Sequence, residues 1–136
     1  MYNTFMWRLH VRKEYLNNVI GIGKFFINRR FHFRYGDILL LLLLKRDDSR
    51  HLGRVRALLV FSRLDEDRDE ESLLLYGRRW RYKIIARRSI MFAPRDWFDL
   101  DDVIGVNARR YYCQIEAMRI NDEDTYSIME KIGKYI

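Results

Sequence analysis

Tyr35-Gly36-Asp37-Ile38-Leu39-Leu40-Leu41-Leu42-Leu43-Leu44 is the stretch on which the fold turns. A Gly-Asp turn signal leads into an unbroken apolar run from Ile38 to Leu44, the length of a strand buried on both faces. Periodicity alone does not separate such a strand from a buried helix. The turn before it and the polar Lys45-Arg46-Asp47-Asp48-Ser49 after it favour the strand. Gly53 to Arg63 follows as a second central strand, with Val55, Leu58, Leu59, Val60 and Phe61 as its apolar members, and the two should pair as a hairpin.

Upstream, Thr4 to Val11 alternates partly between apolar and polar residues and is rich in aromatics, which predicts a first strand. Glu14, Tyr15, Leu16, Val19 and Ile20 fall at helical spacing before Gly21 and Gly23, so a short helix is expected over about 13–20. Lys24 to Tyr35 has no clear period and reads as an irregular segment. Downstream, the acidic residues 65–71 read as a solvated connector, because like charges at that density repel rather than pack. Tyr82 to Arg88 predicts a third strand, left through Ile90 to Pro94. A helical turn at Phe98 to Ile104, a strand within Arg109 to Met118, and a helix capped by Asn121-Asp122-Glu123-Asp124 complete the order. Strand, helix, several strands and a final helix suit one α+β domain over residues 1–136, built on a curved mixed sheet or small β-barrel flanked by short helices.

Composition narrows the function classes. The chain has 136 residues, 49% hydrophobic and 33% charged, enough for a sizeable core. A single Cys113 excludes an internal disulfide framework and a multi-cysteine zinc site. The longest apolar run is far short of the roughly 20 residues of a membrane-spanning helix. Trp7, Arg8 and His10 stand where a secretory signal would be apolar, so a cytoplasmic chain without membrane association is expected.

The net charge of +7 is unevenly spread: residues 1–63 carry +9, residues 65–71 carry −5, residues 72–95 carry +7 without an acid, and residues 96–136 carry −4. Arginine supplies 20 of the 26 cations, and its planar fork suits phosphate and base edges. Nucleic acid is the first partner to consider.

The order of features resembles the PUA-like superfamily, specifically its EVE and YTH branches. The likeness rests on Phe5 and Trp7 in the first strand, Asn17 and Asn18 in the short helix, the aromatic-bearing segment after it, the Gly36-Asp37 turn into an apolar strand, the strand from Gly53, and the aromatic-basic-apolar run from Trp80 to Phe92. It spans about residues 4–133. Such domains are non-catalytic readers that hold a base, often a modified one, in an aromatic-walled pocket with basic surface at the mouth. Similar domains are the N-terminal recognition modules of McrB-type modification-dependent restriction systems, which implies a motor or nuclease domain in a longer parent protein. The Trp common after the first helix in these families is absent, and Phe25 or Phe26 lies nearest that position.

By this resemblance, Asn17 and Asn18 would read a base edge, Phe25 and Phe26 would form one wall, and Tyr76 or Trp80 the opposite wall. Trp7 reads as core, and Trp97 as a loop anchor or part of the rim. Lys24, Arg29, Arg30, Arg34, Arg78, Arg79 and Arg81 are the candidates for phosphate contact. The competing use of these cations is ion pairing with the acids at 65–71. Three scattered histidines, Gly21-Ile22-Gly23-Lys24 without P-loop spacing, and serines outside any nucleophile-elbow context argue against an enzyme and give no cofactor or metal signature. The alternative class is a protein-interaction or assembly domain that does not bind nucleic acid.

Overall fold

An all-apolar strand can be buried on both sides only if both faces of its sheet are covered, and Ile38–Leu43 meets that condition. The computed structural model describes residues 4–44 and 53–136; the polar loop expected at 45–49 lies outside them. Its strands are β1 (Met6–Val11), β2 (Lys24–Ile27), β3 (Ile38–Leu43), β4 (Val55–Glu66), β5 (Tyr82–Met91) and β6 (Ala117–Ile120). The α-helices among the described residues are α1 (Lys13–Ile22), α2 (Glu71–Tyr76), α3 (Leu100–Ile104) and α4 (Asp122–Ile132).

The strands form one mixed sheet in the order β2-β5-β4-β3-β1-β6. β1 and β3 run parallel, with Met6 opposite Ile38 and Val11 opposite Leu43, while the other pairs are antiparallel. Parallel neighbours need a crossover, and α1 and β2 supply it. Ile38, Leu40 and Leu42 point into a core shared with α3 and α4 through Leu100, Ile128 and Ile132. Leu39, Leu41 and Leu43 point to the other side, onto Leu16 and Val19 of α1 and onto Phe25 and Ile27.

The sheet curls. Register shifts interrupt the β4–β5 pairing around Phe61, and such bulges bend a strand and increase its twist. Glu116, just before β6, accepts the backbone N–H groups of Asn28 at 2.8 Å and Arg29 at 2.9 Å, just after β2. The two edge strands are thereby tied together across the open side of a half-barrel.

Asp37 explains the turn that opens β3. Fully buried, its carboxylate accepts the N–H of Phe5 (2.9 Å), the indole N–H of Trp7 (3.0 Å) and the N–H of Arg34 (2.8 Å). Trp7 is core, as expected, and Trp97 is a loop anchor whose indole donates to the Phe92 carbonyl at 2.9 Å.

Three expectations are corrected. Lys24–Ile27 is strand rather than irregular, because the Tyr82–Ile85 half of β5 offers an open edge and these residues pair with it. The acidic segment is only partly a solvated connector: β4 continues through Glu66, and Asp67 is buried with its oxygens accepting the N–H groups of Glu71 and Ser72. Within Arg109 to Met118, residues up to Tyr111 close a 3-10 turn begun at Gly105, and pairing with β1 starts only at Ala117.

Candidate nucleic-acid interface

A cleft of about 950 Å³ opens where β2, α2 and the segment before β6 approach one another. Phe25, Phe26, Tyr76 and Trp80, four of the residues expected to hold a base, line it. The ring centres of Phe26, Tyr76 and Trp80 are 5.9, 6.3 and 6.0 Å apart pairwise, and Tyr15 of α1 lies 4.4 Å from Tyr76. Phe25 and Phe26 are buried, whereas Tyr76 and Trp80 are half-buried and form the accessible part of the wall.

A frame built from the acidic segment places Tyr76 and Trp80. Asp67 caps the start of α2, its carboxylate also accepts the Ser72 hydroxyl, and the Ser72 oxygen accepts the N–H of Trp80 at 3.0 Å. Lys83 draws Asp67, Asp69 and Glu71 together at 3.6, 2.8 and 3.4 Å. Burial works against the Lys83 ammonium, but its hydrogen bonds to Asp69 and Glu71 outweigh that penalty and raise its pKa. Burial, with Tyr15 and Glu71 nearby, pushes the Tyr76 phenol up. Tyr76 therefore stays a neutral hydroxyl, and its buried oxygen has no hydrogen-bond partner among the described residues.

Asn17 and Asn18 do not join the cleft. Tyr15 and Val19, one helical turn apart, are the α1 residues that line it, which turns Asn17 outward and leaves Asn18 half-buried on the flank. The expected phosphate contacts divide. Lys24 is held by Glu71 at 2.7 Å, and Arg79 by Glu70 at 3.3 Å, so the acidic segment engages both. Arg78 lies over the Trp80 ring at 5.0 Å, beside the cleft. Arg29 is exposed next to the Glu116 tie, while Arg30 and Arg81 lie over Tyr82 at 5.8 and 5.4 Å. Arg34 lies over Phe5 at 4.1 Å, away from the cleft lining.

The other end of the cleft is one that sequence reasoning missed. His10, Arg12, Arg54, Tyr112, Asp99 and Asp101 line it. Arg54 is buried, donates to the Leu43 carbonyl at 2.9 Å and lies over the Tyr112 ring at 4.7 Å. Tyr112 donates its hydroxyl to Asp101 at 3.0 Å, and burial followed by that bond raises its pKa. Burial, then the nearby Arg8 cation, lowers the pKa of His10. Its Nε2 lies 2.9 Å from the Cys113 carbonyl, which can only accept, so the neutral ring carries its proton there. The signal available in the sequence was the Tyr111-Tyr112 pair beside two arginines, placed instead in a strand.

No group of three or more His, Cys, Asp or Glu side chains among the described residues could hold a metal ion, and no helix among them is long and apolar enough to cross a membrane. No family model and no curated protein matches the chain. Solved structures do. Two mutant forms of the ZmASCH protein from Zymomonas mobilis superpose with TM-scores of 0.58 and 0.57, each at 10% identity, covering 96% and 92% of this chain and 98% and 96% of theirs. The fold is PUA-like. A YTH domain from the Zygosaccharomyces rouxii MRB1 protein, in complex with N6-methyladenosine RNA, aligns at a TM-score of 0.46 and 14% identity over 96% of this chain and 85% of that one. The similarity to ZmASCH establishes the architecture: an α+β half-barrel with the helices packed on its faces.

Proposed function

We propose that this domain is a non-catalytic nucleic-acid reader that takes an unpaired or flipped base, in particular a modified one, into the aromatic end of the cleft. The observation that carries the reading is the gathering of Tyr76 and Trp80, backed by the buried Phe26, at one accessible opening, with the Arg78 guanidinium over Trp80. Flat ring faces stack on any base and contribute about 1–3 kcal/mol per base. Arg29, Arg30, Arg78 and Arg81 would follow the phosphate backbone outside. The narrower affiliation with EVE and McrB-type modules, and with it a motor or nuclease domain in a longer parent, belongs to the same proposal.

The test is a fluorescence titration against methylated and unmodified oligonucleotides at rising salt. Salt-sensitive binding with a preference for a modified base is the expected result, and no salt-sensitive binding to any of them rejects the reading. One observation favours a protein partner instead: Leu73, Leu74 and Leu75 of α2 are exposed beside the cleft wall, Leu74 by 84%. In that case Leu74→Ser would abolish partner capture while oligonucleotides never bind.

A further inference from the structure

The cleft is larger than one base requires. At about 950 Å³ it lies near the top of the roughly 300–1,000 Å³ range of pockets that enclose a whole drug-sized molecule, and a nucleobase is considerably smaller than that. Among the rings that line it, Tyr15, Phe26, Tyr76 and Trp80 contact one another, whereas Tyr112 is held by Arg54 instead. Tyr112 is half-buried and fixed from two directions, by Arg54 over its ring at 4.7 Å and by its hydroxyl bond to Asp101 at 3.0 Å. A ring held in this way has lost its side-chain freedom before any ligand arrives, which is the condition for a preformed stacking platform.

Asp99 and Asp101 line the cleft beside Tyr112 together with Arg12 and Arg54, so carboxylates and guanidinium groups balance there, while Glu116 is already engaged by the N–H groups of Asn28 and Arg29. Carboxylates accept the N–H donors on the edge of a base.

We propose that Tyr112 and Asp101 form a second base subsite, so that the cleft takes two successive nucleotides of a single strand, one against Trp80 and Tyr76 and the next against Tyr112. This rests on the nucleic-acid reading above and adds its footprint: the minimal full ligand is a dinucleotide.

The experiment is calorimetric titration of the whole chain with nucleoside 5′-monophosphates, 5′-phosphorylated dinucleotides and trinucleotides, each at low and high salt. The expected dinucleotide affinity exceeds that of the better monophosphate by about 5- to 150-fold, the range one base–aromatic stack commands, and a third nucleotide adds much less. The second-nucleotide gain should persist at high salt, since a gain from phosphate contact would fall with it. Tyr112→Ala should bring the ratio of dinucleotide to monophosphate affinity close to one, while Tyr112→Phe, which keeps the ring, retains most of the ratio. Binding with no gain on the second nucleotide, or a gain that survives in Tyr112→Ala, overturns the second subsite and leaves the reader assignment standing. No binding of any of the three ligand lengths overturns both.

Discussion

The Ser72 hydroxyl oxygen accepts the backbone N–H of Trp80 at 3.0 Å while its proton goes to Asp67. Ser72 and Asp67 are both buried, so neither bond is exchanged cheaply for water. The acidic segment thus acts as the frame of the aromatic wall. Ser72→Ala leaves the Trp80 N–H and the Asp67 carboxylate each short of a partner. A loss of about 1–3 kcal/mol is expected in urea unfolding, together with a shift in tryptophan emission.

Gly53 has φ +82°, and a Cβ there would stand 2.6 Å from the backbone nitrogen of Phe98. Backbone on both sides leaves no flexible atom to move, and the next residue, Arg54, donates its N–H to Asp99 at 2.9 Å. Gly53→Ala should cost more than the about 1 kcal/mol of an ordinary glycine-to-alanine strain, read by thermal unfolding, and should disturb the Tyr112 end of the cleft before the Trp80 end.

Glu116 ties the sheet edges through the N–H groups of Asn28 and Arg29. Glu116→Ala removes a charged acceptor from both, worth about 1.5–3 kcal/mol for such bonds. Hydrogen exchange at Asn28 and Arg29 should accelerate, whereas exchange in β3 should change only by the global loss of stability.

His10 gives the pH dependence. Its folded pKa lies below the ordinary value of about 6.5, so the unfolded chain binds a proton that the native chain resists. Its contribution is fully present above about pH 6.5 and is lost as pH falls from there toward the folded pKa. Urea midpoints measured from about pH 8 down to about pH 5 should fall for the wild type, and the His10→Gln variant should lose part of that slope.

Much of the sheet was legible because its signals are local. The apolar run at Ile38–Leu43, the hairpin to β4, the helical spacing that places Leu16 and Val19 inward, and the Asn121 cap, whose side chain accepts the Asp124 N–H at 2.8 Å, are each visible within a few residues. Helix α2 was hidden because its entry consists of acids whose partners are backbone N–H groups, and backbone donors leave no trace in composition. The edge tie was hidden for another reason: Glu116 and Asn28 are 88 positions apart. Phe26, Tyr76 and Trp80 were legible as rings among cations, yet Asn17 and Asn18 were assigned to the same place. The helix phase set by Tyr15 and Val19 already turned Asn17 away from it. Tyr112 escaped because the 3-10 turn before it does not share the period of a strand.

The most direct measurement is the affinity of a fluorescein-labelled single-stranded oligonucleotide for the wild type, Trp80→Ala and Tyr76→Ala, read by anisotropy at low salt, with thermal unfolding as the control for folding. Loss of one stacking face should weaken binding by about 5- to 150-fold in each variant, without loss of fold. Equal affinity in all three proteins, or no binding by the wild type, would contradict an aromatic base site in this cleft.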